Sequence, residues 1–301
     1  MPVKKMVQPE RCPAGHSIQP ALDYNHRVTS ENETSAQSFR HRRLANAIVF
    51  VLTALVVGLW LYFTPDGILG KADAIGYAVC HRIDLRSFHL GARPLPLCAR
   101  CTGMFLGALV AFTYYAVRRT KASLYPSRGV LAAVIGLGLT WVVDGTNSFL
   151  SMLPSAMQLY APHNTLRLIT GSLIGIVLVT LVYPVFSQYA WKDWKSERIL
   201  RSPRELLLLL TLVGVVDLAV LSENPLLLYP LALLSSLGVL LLLTLAYTLI
   251  TIPLLRRTQK ASRWRDLIVP LAAGLMLGLI QIGLIDLLRY TLTGTWGGFH
   301  L

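Results

Sequence analysis

Acidic residues are scarce in this sequence, with 15 Asp and Glu against 28 Lys and Arg, and charged residues of both signs fill only 14% of its 301 positions. Soluble chains average about 25%, so an ordinary soluble domain is excluded from the start. Polar helix faces are missing as well. The segments "LANAIVFVLTALVVGLWLYF" (44–63) and "LLLYPLALLSSLGVLLLLTLAYTLI" (226–250) carry no polar stripe, where a soluble amphipathic helix would show one. There is no Walker loop, no G-x-S-x-G elbow, no H-E-x-x-H helix and no dinucleotide fingerprint, which excludes the reaction frameworks those motifs announce. Cysteine is rare too. Of four in all, three fall within one stretch, "CHRIDLRSFHLGARPLPLCARCTG", from Cys80 to Gly103.

What the chain does have is hydrophobicity in runs of the roughly 20 residues that cross a bilayer. Seven spans are expected, at about 44–63, 99–117, 129–144, 166–186, 205–221, 226–252 and 267–289. The fold class is therefore an all-α integral membrane protein of about seven transmembrane helices, with the lipid bilayer as its first partner. Residues 1–43 are polar and mixed in charge, a flexible cytoplasmic tail before a membrane domain over 44–301. Cys12 and His16 in that tail read as an incidental pair. The first apolar run starts only at Leu44 and is long enough to span, so no cleavable signal peptide is expected. The segment 67–82 is too polar to span, and its Leu69, Ala72, Ile75, Gly76 and Val79 fall at helical spacing, as in an interfacial or re-entrant helix.

The net charge of +13 does not point to nucleic acid, because the basic residues occupy short loops between spans. Arg40, Arg42 and Arg43 precede the first span. Arg118, Arg119, Lys121 and Arg128 fill the second connection, Lys192, Lys195, Arg198, Arg201 and Arg204 the fourth, and Arg256, Arg257, Lys260, Arg263 and Arg265 the sixth. Connections three and five hold neither Lys nor Arg. The positive-inside rule then places the N-terminus in the cytoplasm. One connection breaks the pattern: the cysteine stretch falls on the outer side yet carries Lys71, Arg82, Arg86, Arg93 and Arg100. Pairing with Asp73 and Asp84 would explain them structurally, and binding an anionic group would explain them functionally.

Two features hint at a helical hairpin repeated after the first span. "TGMFLG" (102–107) reappears as "TGSLIG" (170–175), and spans three, five and seven end in "WVVD", "GVVD" and "GLID" at Asp144, Asp217 and Asp286. Repeats about an axis along the membrane normal would produce this, although close packing alone explains small-xxx-small patterns. With the topology above, the three aspartates, Arg167, Arg289, Asn147, His163 and Asn164 all lie toward the outer face. Buried charges beside spans face a bundle interior or a wet cavity, which gives a polar pocket lined by Arg82, Arg86, His89, Asp144, Asn164 and Arg167.

Cys98 and Cys101 are three apart at the start of a helix and share a face, and the helix N-terminus with Arg100 nearby favours thiolate. Cys80 and His81 arrive from upstream. The set Cys80, His81, Cys98 and Cys101 matches the donor mixture of tetrahedral zinc sites, with His89 as another donor. A dithiol site cycling Cys98 and Cys101 and simple structural packing are the competing readings. Three clustered cysteines leave one over from any disulfide, which favours metal.

Cys80-His81-Arg82, Arg86-Ser87-Phe88, "PLCARCTGMFLG" (96–107), Asp144-Gly145 and Asn164-x-x-Arg167-x-x-x-Gly171 together resemble a prokaryotic family of membrane proteins, domain of unknown function 2085. The resemblance covers roughly residues 70–185, leaving helices 205–289 as an addition. It implies a multi-pass protein of a prokaryotic, for instance bacterial, cell membrane and carries no reaction. The expectation is a membrane protein with a zinc-type Cys/His site in a polar pocket at its extracytoplasmic face. With an open ligand position, such a site could hydrolyse a lipid-linked or anionic substrate. The alternatives are a membrane thiol-disulfide oxidoreductase and a transporter, the latter disfavoured by cytoplasmic span halves that read almost purely apolar.

Overall fold

The structure, a computed structural model, describes residues 42–153 and 158–298. The chain divides into two units, Met1–Ile48 and Val49–Leu301. The expected tail, with Cys12 and His16, lies outside the described residues apart from its last two positions, which open the first helix.

Among the described residues eight helices follow in order: α1 (Arg42–Phe63), α2 (Ile68–Val79), α3 (Ala99–Arg118), α4 (Arg128–Leu150), α5 (Asn164–Ala190), α6 (Pro203–Leu221), α7 (Pro225–Leu254) and α8 (Ile268–Thr293). All but α2 coincide with the seven expected spans. Among the described residues, six are long and apolar enough to cross a membrane. The seventh, α6, carries Arg204, Glu205 and Asp217 within its 19 residues. Two of these charges are satisfied inside the protein: Glu205 pairs with Arg119, and Asp217 accepts from Ser172 Oγ at 2.6 Å. At 12 residues α2 is too short to span, and it packs against α7 and α8. Proline and glycine punctuate these elements. Pro65 and Gly67, the latter at φ +79°, turn the chain from α1 into α2, and Gly294 at φ +69° ends α8 in the left-handed conformation that glycine adopts freely.

The expected α4 stops at Asp144, but the helix runs on to Leu150. Its polar last turns are paired rather than solvated: Asn147 Oδ1 accepts from Leu159 N at 2.7 Å and its Nδ2 donates to Tyr160 O at 2.9 Å.

The connections separate into two ends. At one end β3 (Ala122–Leu124) runs parallel to β4 (Lys195–Arg198), Lys192 N donates to Ala261 O, and Lys121 Nζ reaches both Asp193 and Ser262 O. The basic loops after α3, α5 and α7 therefore meet. At the other end are the cysteine stretch with its small hairpin, β1 (His89–Leu90) and β2 (Arg93–Pro94), and the loop before α5. The segment after α8 joins them through Trp296 O, which accepts from Arg82 Nη1 at 3.2 Å. This segregation matches the charge pattern of the sequence.

At the centre, α3 and α5 run parallel in backbone contact. A Cβ on Gly103 would overlap Leu168 O, and one on Gly107 would overlap Ser172 O. From the facing helix, a Cβ on Gly171 would overlap Arg100 O and one on Gly175 would overlap Met104 O. The two "TG…G" segments that resemble each other in sequence are thus the two halves of one small-xxx-small interface.

Candidate metal centre

Cys80 ends α2, and Cys98 is the N-cap of α3, with Cys101 one turn inside. The chain between them is anchored by the hairpin turn at Gly91, whose φ of +65° suits glycine. Gly76 lies so close to Pro96 O that a Cβ there would overlap it. Glycine at 76 is what lets α2 bring Cys80 against the start of α3.

The three Sγ atoms all lie within 4.8 Å of one another, with Cys80 and Cys98 buried and Cys101 half-buried. All three are free thiols. Three sulfurs around a tetrahedral zinc ion at about 2.3 Å each would stand roughly 3.8 Å apart, so the spacing suits a soft divalent ion after minor adjustment. Backbone N–H groups of Arg82 and Cys98 each donate to Cys80 Sγ at 3.4 Å, an arrangement that favours thiolate. Donation from the Cys101 thiol and then the Cys98 thiol holds Cys80 well below its ordinary value. Cys101 also donates toward Cys98, but the Cys80 thiolate and burial outweigh it and push the Cys98 thiol up to about 12.

The fourth expected ligand behaves differently. His81 is exposed and stands beside Cys80, outside the mutually close set of sulfurs. His89 is likewise not drawn in, for its Nε2 bonds Asp84 Oδ1 at 3.0 Å.

The basic residues that broke the charge pattern sort into two groups. Lys71 caps the end of α1, donating to Thr64 O at 2.8 Å. Arg82, at 2.9 Å, and Arg93 share Asp73. These are structural ion pairs of the kind expected with Asp73. Arg100, by contrast, pairs with the Asp144 carboxylate, which is only 1% exposed, and donates to Ser148 Oγ at 2.9 Å. Asp144 also accepts from Tyr160 Oη at 2.9 Å and Thr170 Oγ1 at 3.3 Å. Arg167, 6% exposed, donates from Nη1 to Asn164 Oδ1 at 3.0 Å. Asn164 in turn faces the carbonyls of Leu85 and Ser87, both at 3.4 Å. Arg86 is half-buried, and among the described residues its guanidinium has no hydrogen-bond or ion-pair partner; burial and then the Arg100 charge pull it below its usual value. The expected pocket residues Arg86, Asp144, Asn164 and Arg167 thus gather around the start of α5, beside Cys98. His89 and Asn164 line an open pocket of about 540 Å³ next to them. Sequence reading named Arg100 only as a charge near the cysteines, and it passed over Ser148, Tyr160 and Thr170. The position of Arg100 between the two cysteines of "CARC" was the available signal, since it fixes that guanidinium beside the cluster.

Residues 80–181 match the family described as predicted membrane protein (DUF2085). An uncharacterized protein of Methanothermobacter thermautotrophicus is 34% identical over 103 residues, which cover 34% of this chain and 83% of the relative. The chain belongs to the DUF2085 family. An uncharacterized protein of Methanocaldococcus jannaschii is also similar, 29% identical over 158 residues that make up 50% of this chain and 95% of its own length. Both relatives are archaeal, so they support a prokaryotic membrane protein without singling out bacteria. No solved structure matches the chain. The DUF2085 segment begins at Cys80 itself and includes Cys98, Cys101, Arg86, Arg100, Asp144 and Arg167. Helices α6, α7 and α8 lie beyond it.

Proposed function

We propose that this DUF2085 protein is a membrane-embedded metalloprotein whose thiolate centre opens to a polar pocket at the extracytoplasmic face. The convergence of three free Sγ atoms within 4.8 Å carries the reading. Cys80, Cys98 and Cys101 would hold a zinc-type ion, with His81, next in the chain to Cys80, as the fourth donor. A bound zinc ion supplies Lewis acidity where one ligand position stays open and rigidity where it is closed. The chain's own residues do the rest. The arginines bias the pocket toward anions, and Asp144 ties Arg100, in the first turn of α3, to α4.

Full-length protein purified from a zinc-supplemented host should contain one zinc per chain by plasma mass spectrometry. Cys98→Ser or Cys101→Ser should lower that content severalfold while the protein remains monodisperse. Metal-free wild-type protein whose thiols pass reversibly to a disulfide would overturn the metal reading and establish the dithiol one.

The placement at the outer face rests on the positive-inside rule. Glu223→Cys sits at the cysteine end and Lys260→Cys at the basic end, both at exposed positions. In a background with the native cysteines replaced by serine, an impermeant maleimide should label the first in intact cells. It should label the second only after permeabilisation, and the reverse pattern would invert the orientation.

A further inference from the structure

We propose that Arg86, Arg100 and Arg167 form a binding site for a phosphate-type oxyanion beside the cysteine cluster, where α3 and α5 begin. The two helices are parallel and in backbone contact, and Gly171 lies against Arg100 O just as Gly103 lies against Leu168 O. Arg100 and Arg167 therefore stand within one turn of each other across that contact. Arg86 is brought to the same place by Asn164, which binds Ser87 O on one side and the Arg167 guanidinium on the other.

The arginines exceed what the protein offers them. Asp144 is the one carboxylate paired with them among the described residues, and Arg100 takes it. The Nε atoms of Arg100 and Arg167 are buried and have no acceptor among the described residues. Arg167 is 6% exposed, so bulk water does not serve it either. A buried donor without a partner is costly, and an anion in the adjoining space would remove that cost. The two helix N-termini add to the field: the N-caps Cys98 and His163 give neither helix a side-chain cap, leaving partial positive charge on their first N–H groups. A single carboxylate is satisfied by one guanidinium fork, whereas three converging guanidinium groups suit the several oxygens of a phosphate.

The inference adjoins the metal reading and takes from it only the charge of the cluster. Three thiolates with a divalent ion carry one net negative charge and Asp144 a second, which leaves the three guanidinium groups in excess by one. A pocket of about 540 Å³ adjoins the site through Ser87 and Asn164; its lining also holds Asp84 and Glu223 and none of the three arginines. The anion is either free phosphate or the phosphate of a lipid headgroup, and the chemistry of recognition is the same.

Full-length protein in phosphatidylcholine nanodiscs tests both sources. Saturable uptake of inorganic phosphate by titration calorimetry identifies the free anion. Selective retention of phosphatidic acid from mixed nanodiscs, read by native mass spectrometry, identifies the lipid. Whichever probe binds, Arg86→Gln should weaken it by about tenfold, the worth of one charge-assisted hydrogen bond, without shifting thermal unfolding, because the Arg86 guanidinium has no bonded partner to lose among the described residues. The double variant Arg86→Gln, Arg167→Gln should abolish binding. Zinc measured in the same samples separates the two proposals: anion binding by zinc-free wild type would sink the metal reading and leave this one standing. If neither probe binds, or if both bind wild type and Arg86→Gln alike, the arginine site is wrong.

Discussion

Gly171→Val, and Gly175→Val with it, should leave almost no folded protein. The new Cβ at 171 would overlap Arg100 O and stand 3.1 Å from Met104 N, and at 175 it would overlap Met104 O and stand 2.7 Å from Ala108 N. All of these are backbone atoms, which cannot swing aside as a side chain could. The helices must separate instead, and separation takes with it the contact that places Arg100, Asp144 and Thr170 together. Overpacking costs about 1–3 kcal/mol where side chains can yield, and more where they cannot. Two such sites on one interface approach the whole stability of a typical domain, about 5–15 kcal/mol. Gly136→Ala is the matched control, because a Cβ there meets nothing within 4 Å and alanine is the better helix former by about 0.5–1 kcal/mol. Size-exclusion of detergent extracts with a thermal melt reads both. A monodisperse Gly171→Val protein melting with wild type would refute the central interface.

The positions of the helices were legible because bilayer-length apolar runs admit few other structures. The cysteine cluster was legible as well, since a CxxC at a helix start and an upstream Cys-His needed only one close approach to meet. What sequence could not convey was who satisfies whom. By sequence the span ends at Asp144 and Asn147 belongs to the connection after it, yet Gly145, Thr146 and Asn147 stay helical, with Tyr160 and Leu159 returning to bind Asn147. His81 and His89 looked alike as donors beside the cysteines, but one is exposed and the other is held by Asp84. The repeated "TG…G" segments were visible as similarity, and only the fold reveals them as partners. Local pattern fixes periodicity and length. Long-range polar pairing depends on geometry that a single sequence does not carry.

The three aspartates make that point measurable, because identical-looking motifs should respond to the same substitution in opposite directions. Asp144, Asp217 and Asp286 each follow two aliphatic residues and are all buried, at 1%, 7% and 4% exposure. Asp144 is bound by Arg100, Tyr160 and Thr170. Asp144→Leu would strip the buried arginines of their one carboxylate, and breaking a buried pair from one side typically costs about 3–5 kcal/mol. Neither carboxylate oxygen of Asp286 accepts a hydrogen bond among the described residues, although the Arg289 charge acts on it, and the residue borders an apolar groove of about 690 Å³ lined by Trp60, Leu279, Leu284 and Tyr290. Asp286→Leu places an apolar side chain of similar reach in that groove and removes an unsatisfied buried group, which should stabilise the protein by about 1–3 kcal/mol. Asp217, which accepts from Ser172 alone among the described residues, should fall between. Equilibrium unfolding in mixed micelles, with the melting temperature as a second readout, orders the three variants. Equal losses at 144 and 286 would mean that Asp286 has a partner of its own and that the groove is not the apolar space its lining describes.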